Sequence, residues 1–347
     1  MKVYDFGLSW SGTIRENFVR YLQSACRKLG LSFLWISEDN VKDIVKDLER
    51  HHIKIKVLLD TEATYNEDKN IYARLCYAVK DGEGAVINDP DRAKVSVDKS
   101  GMHYELLNAS ISTPYTVIVR NWEPSSFRLT GEEKKKLGSP LVIKPASGYG
   151  QLGVVRDAKG SIVDIARARN FDRGDNFLLQ ERITPIQLGG KRAWFRVYNV
   201  FNRIIPCWWD DILNRYQHLT YEEFNSFKLF PLAKIVSKIA AITRMVWFST
   251  EIAVDKKFNQ PRFVAIDYVN DQCDMSTKSE TESGVPDSIV ESIADCIVDA
   301  AKKFINNEKD SKKYTIMLQD ASVIELKGLG TPPQLLKPYL IVEGIFL

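Results

Sequence analysis

A lysine closing a short apolar run, followed by a proline and three glycines, is the arrangement in this 347-residue chain best suited to chemistry. It lies in LVIKPASGYGQLGV, Leu141 to Val154. A strand there would deliver Lys144 to a site. In the turn that follows, Ser147, Gly148, Tyr149, Gly150 and Gly153 would let backbone amides approach a ligand closely. A fixed cation beside such amides suits a polyphosphate. The stretch GYGQLG formally satisfies G-x-G-x-x-G, a pattern shared by Rossmann turns and protein kinases. A Rossmann turn opens a helix, whereas VVRDAKGSIVDI reads as two β-branched runs about an Asp-Ala-Lys-Gly turn, a hairpin. A kinase places its lysine after the loop and needs HRD; here the lysine comes first and HRD is absent. The G-K-[ST] tail of a Walker A loop is missing too.

Other polar residues fall where strands should end. In DNFLLQERI, Gln180, Glu181, Arg182 and Ile183 follow an apolar run. A carboxylate there could accept ribose hydroxyls while neighbouring backbone pairs with a base edge. The segment KRAWFRVYNVFNRIIPCWWDD reads as a long strand pair with Arg192 and Arg196 on one strand face. Arginine suits bidentate phosphate or carboxylate contact, so these residues and Arg203 are candidate clamps. Further on, EIAVD and RFVAIDYV flank a polar turn and carry Asp255, Asp267 and Asn270, hard oxygen ligands of the kind magnesium takes. Lys99, beside the helix-opening Asp98, reads on its own as a solvated lysine.

These residues need elements to hold them. MKVYDFGL, LSFLWIS, IKIKVLLD and AVINDP alternate with helical patterns over Ile14–Leu29, Val41–His51 and Ile71–Val79. That β-α-β-α-β-α-β order predicts a parallel sheet with crossover helices. Its first turn lacks G-x-G-x-x-G, so a dinucleotide site is not expected there. Asp98–Asn108, the capping box at Thr220 and Glu223, Lys234–Met245 and Val285–Phe304 predict further helices; strands are expected over TIMLQD and ASVIELK near the end. At 27% charged and 44% hydrophobic residues the composition is that of a globular protein. A net charge of +3 without a basic block predicts no nucleic-acid surface. No apolar run suits a membrane span or a signal peptide, which reads as cytoplasmic. Five scattered cysteines, never in C-x-x-C, predict neither a disulfide framework nor a zinc site.

The succession of NDP, VDK, VIKP with its glycine loop, LLQERI, an arginine-bearing strand and an acidic hairpin ending in D-x-x-N resembles the ATP-grasp superfamily. That group includes glutathione synthetase, D-alanine:D-alanine ligase and the ribosomal-protein glutamate ligases. The resemblance spans Asn88 to Met275. It implies an α/β protein with a Rossmann-like pre-ATP-grasp domain over 1–88 and a two-part α+β ATP-grasp domain with antiparallel sheets over 89–320. A lid subdomain would cover about 115–185 and a catalytic subdomain about 186–320, with a tail, 321–347, packed on the domain.

Residue by residue, the resemblance implies that Lys99 and Lys144 hold ATP phosphates and that Gly148–Gly153 is the lid loop. Gln180, Glu181, Arg182 and Ile183 would surround adenine and ribose, and Asp255, Asp267 and Asn270 would bind Mg2+. Arg196, with Arg215 as competitor, would contact the reacting phosphate. The family pattern is usually E-x-N or D-x-N, one residue shorter than Asp267-Tyr-Val-Asn270. A bulge re-aiming one side chain, or Asp271 or Asp274 in its place, would complete the set. The implied activity is an ATP- and magnesium-dependent carboxylate–amine ligation through an acyl phosphate. Its substrates would be small-molecule or peptide acids and amines, and a homodimer is compatible. A kinase acting on a hydroxyl acceptor and a non-catalytic ATP-binding protein are the alternatives.

Overall fold

A computed structural model describes residues 1–11, 16–65, 69–148, 150–257, 259–306 and 342–343. The strands expected over TIMLQD and ASVIELK, most of the tail 321–347, and Tyr149 lie outside these. Two compact units divide the chain. The first comprises Met1–Lys94, Phe195–Ser249 and Asn270–Leu347; the second comprises Val95–Trp194 and Thr250–Val269. Among the described residues no helix is long and apolar enough to cross a membrane.

The chain opens with β1 (Lys2–Ser9), α1 (Asn17–Lys28), β2 (Phe33–Ile36), α2 (Val41–Glu49), β3 (Ile53–Leu59), α3 (Ile71–Asp81) and β4 (Ala85–Ile87). The four strands form a parallel sheet in the order β2-β1-β3-β4, as the alternation of elements predicts. Parallel strands are covered on both faces, so they read as continuous apolar runs. Accordingly Phe6, Leu8, Leu58 and Leu59 are all fully buried. Asn70 starts α3 by accepting from the amides of Tyr72 and Ala73. Then α4 (Pro90–Ser96) leads into α5 (Lys99–Asn108), whose N-cap Asp98 accepts from the Ser100 amide. That cap makes Lys99 the first helical residue.

The second unit continues with β5 (Thr116–Val119), α6 (Gly131–Leu137), β6 (Leu141–Pro145), β7 (Val155–Ala158), α7 (Ile162–Arg169) and β8 (Phe177–Glu181). Its strands form an antiparallel sheet in the order β5-β8-β6-β7. The hairpin expected over VVRDAKGSIVDI is not present. β7 pairs instead with β6 across the glycine loop, Leu141 opposite Ala158 and Ile143 opposite Val155. The second β-branched run is α7, because Ser161 and Asp164 form a reciprocal capping box that starts a helix there.

A small ribbon, β9 (Gln187–Leu188) with β10 (Lys191–Arg192), precedes β11 (Trp194–Val200). Arg192 and Arg196, expected on one strand face, thus stand on separate strands. Ala193 breaks the run because its amide donates to the Ile186 carbonyl and its own carbonyl accepts from Val254, both at 2.8 Å. β12 (Arg203–Asp210) returns antiparallel to β11 through Phe201 and Asn202, whose φ values of 49° and 66° suit a tight hairpin turn. β13 (Arg215–His218) pairs on the other side of β12. Next come α8 (Tyr221–Ser226), α9 (Phe230–Thr243), the hydrogen-bonded neighbours β14 (Trp247–Lys257) and β15 (Gln260–Asn270), α10 (Asp287–Asn306) and β16 (Val342–Glu343). β16 pairs antiparallel with β12 at Arg203 and Ile204.

Within the first unit the loop after β4 is tied to the start of β14 by one buried side chain. Asn88 donates to the Trp247 carbonyl at 2.5 Å and accepts from the amides of Val246 and Trp247 at 3.0 Å each. Replacing it takes this partner from three backbone groups, two of them buried. Asn88→Ala is therefore expected to cost about 3 kcal/mol of stability in urea unfolding; an unchanged midpoint would refute this role.

Candidate functional site

The second unit gathers its charged side chains around the end of β6. Lys144 is only 8% exposed. Its ammonium donates to the Ile266 carbonyl at 2.8 Å and lies 5.3 Å above the centre of the Tyr268 ring. Burial pushes its pKa down to about 8; nearby Lys99 acts in the same direction, while Asp267 and Glu251 oppose it. Lys99, at the start of α5, donates to the Gly148 carbonyl at 2.6 Å and stands 3.9 Å from Asp267 Oδ1. Two lysines far apart in sequence therefore meet one carboxylate and the base of one glycine loop.

The loop is anchored at its entry. The Ser147 amide and hydroxyl both reach the Asp175 carboxylate, at 2.8 and 3.2 Å. The Ala146 amide donates to the Asn176 carbonyl at 2.8 Å, and its own carbonyl accepts from the Lys99 amide at 3.0 Å. Glycine is required at two positions for steric reasons. A Cβ on Gly148 would lie 2.4 Å from Pro145, and one on Gly153, at φ +72°, would lie 2.6 Å from the Phe171 ring. Gly150 adopts φ +58° in open space, so there the backbone conformation itself favours glycine.

At the end of β8, Gln180 turns inward. Its amide nitrogen donates to the Tyr268 hydroxyl at 2.9 Å and to Thr116 Oγ1 at 3.0 Å, so this side chain is engaged within the unit. Glu181 meets Arg262 at 3.1 Å. Arg182 makes an exposed ion pair with Asp157 at 2.7 Å, and Ile183 is buried.

Of the expected metal trio, Asp255 is already paired with a cation. Arg262 holds both carboxylate oxygens of Asp255, at 2.9 and 2.5 Å, so a cation already neutralises that residue. The fork geometry of the guanidinium makes the pairing bidentate. Asp274 accepts from the Ser276 amide at 3.0 Å. Glu251, which the sequence reading missed, accepts from the Trp194 indole at 3.0 Å and lies within electrostatic reach of Lys144. Its signal was its place four residues before Asp255, on the same face of a strand.

Among the described residues no group of three His, Cys, Asp or Glu side chains is gathered as a metal centre. Magnesium held together with a nucleotide needs only one or two carboxylates besides phosphate oxygens. Asp267 and Glu251, flanking Lys144, fit that requirement. In the first unit, Arg196 lies with its guanidinium 5.4 Å from the centre of the Trp209 ring, and Arg215 is ion-paired with Glu282.

Three solved structures align over nearly their whole length. D-alanine–D-alanine ligase from Bacillus anthracis, complexed with ATP, matches at TM-score 0.57 and 15% identity, covering 89% of this chain and 100% of that one. A RimK domain protein ATP-grasp from Sphaerobacter thermophilus matches at TM-score 0.57 and 15% identity, covering 86% and 98%. D-cycloserine synthetase DcsG matches at TM-score 0.58 and 12% identity, covering 86% and 99%. No protein-family model and no curated protein matches the sequence.

Burying a charged lysine has a measurable cost. With a folded-state pKa near 8 against an ordinary 10.5, the unfolded chain binds more protons between those values, so stability should rise with pH across that interval. Lys144→Met is expected to abolish that rise and to stabilise the protein at pH 7, on the order of 2 kcal/mol. Thermal unfolding from pH 7 to 10.5 checks both; a variant with the parent's pH dependence would show that Lys144 is not the titrating group.

Proposed function

The chain has the ATP-grasp fold, and on that premise we propose that it is an ATP-dependent ligase that joins a carboxylate to an amine. The observation that carries this reading is the meeting of Lys99 and Lys144 beside Asp267, at the base of a glycine loop. Fixed cations of this kind favour a triphosphate and oppose the charge that builds as its terminal phosphoryl group moves. Lys144 contributes a nearly dry ammonium, whose interaction with phosphate is little screened by water. Lys99 would release the Gly148 carbonyl and turn to the phosphates.

The reaction has two steps. The carboxylate oxygen of the acid attacks the γ-phosphorus, the bond to the bridging oxygen breaks, and ADP leaves with an acyl phosphate in place. The amine nitrogen then attacks the acyl carbon, phosphate departs and the amine loses a proton. The loop from Gly148 to Gly153 would cover the intermediate and exclude water, which would otherwise hydrolyse it. Magnesium bound by Asp267 and Glu251 together with the nucleotide would neutralise phosphate charge.

The test is ADP release against a panel of carboxylates and amines. Amine-dependent release of both ADP and phosphate supports ligation. A phosphorylated hydroxyl acceptor, or ATP binding without turnover under every pairing, would overturn it. Lys144→Ala is expected to abolish ADP formation while leaving the far-UV circular dichroism spectrum unchanged; turnover at the parent rate would remove Lys144 from the site.

A further inference from the structure

Tyr268 lies on β15, two residues before Asn270. The side chain is fully buried. Its ring lies beneath the Lys144 ammonium, 5.3 Å from centre to nitrogen. Its hydroxyl accepts from the Gln180 amide at 2.9 Å and lies 2.7 Å from His103 Nδ1. His103 is stacked on the same ring, with centroids 5.9 Å apart and planes at 25°.

The Gln180 nitrogen can only donate, so the Tyr268 hydroxyl accepts from it, while the direction of the bond to His103 Nδ1 is set by the imidazole tautomer. Burial, with Lys144 close by, holds the His103 pKa down to about 4, so the imidazole is neutral at ordinary pH. His103 stands four residues after Lys99 on α5, one turn along the same helix face. Tyr268 therefore touches side chains from α5 and β8 while its ring supports the lysine of β6. One residue links the elements that present Lys99, Glu181 and Lys144.

We propose that Tyr268 is a positioning residue of the nucleotide site: its ring, clamped by Gln180 and His103, holds the Lys144 ammonium towards the phosphates. A carboxylate at this position would pair with Lys144 and draw it from the phosphates. A neutral ring attracts the ammonium through its quadrupole without adding a further negative charge beside it. This rests on the nucleotide reading of the site above.

The test compares two variants of the full-length protein that both lose the hydroxyl and differ in the ring, Tyr268→Phe and Tyr268→Met. Titration calorimetry would measure the Kd for ATP and for AMP, which shares the base and ribose but lacks the outer phosphates. Tyr268→Phe should bind ATP within about threefold of the parent, whereas Tyr268→Met should bind it about tenfold more weakly. AMP affinity should change less than twofold in both. If Tyr268→Met does not fold, Tyr268→Leu is read in the same way. Equal losses for ATP and AMP, or a Phe variant as impaired as the Met variant, would assign Tyr268 a merely structural role and overturn the proposal. Failure of the unaltered protein to bind either nucleotide would instead overturn the nucleotide reading, and the proposal with it.

Discussion

A charged lysine held almost out of water governs the arrangement of the second unit. An ammonium in that position is tolerated only if its donors and its charge are both answered. The Ile266 carbonyl, the Tyr268 ring, Asp267 and Glu251 supply those answers from β14 and β15. Each supporting group is itself held. Tyr268 is clamped by Gln180 and His103, Glu251 by the Trp194 indole, and Asp267 has Lys99 within 3.9 Å. Desolvation is what would make Lys144 effective against phosphate, and the same desolvation lowers its proton affinity.

The glycine loop depends on the same arrangement. Both of its sides are fixed. Ser147 is bound to Asp175, Gly148 is bound to Lys99, and Gly153 is packed against Phe171. At Gly150 an added Cβ would meet open space.

A second charge network lies on the same hairpin and serves a different end. Arg262 joins Asp255 to Glu181, two carboxylates that the sequence suggested for separate duties on metal and ribose. Charge-assisted bonds to a partly buried guanidinium tie the end of β8 to the hairpin. The acidic residue near Lys144 on β14 is Glu251, whose carboxylate accepts from the Trp194 indole.

The sequence by itself determined the order of most elements and the lysine–glycine loop. Alternating apolar runs and helical periods set out the parallel sheet, and a lysine before its glycines, without HRD or a G-K-[ST] tail, excluded two other nucleotide folds. Such features are local: a period, a cap or a turn is written within a few residues. Even so, one local signal was misread, since Ser161 and Asp164 make a helix start of a run whose β-branching suggested a strand. Tertiary structure alone decided the partners. Arg262 on Asp255, Tyr268 under Lys144 and His103 against Tyr268 join residues from 7 to 165 positions apart. Nothing in a single chain's spacing records those pairings, because burial and charge compensation are properties of the packed unit and arise only when the strands have come together.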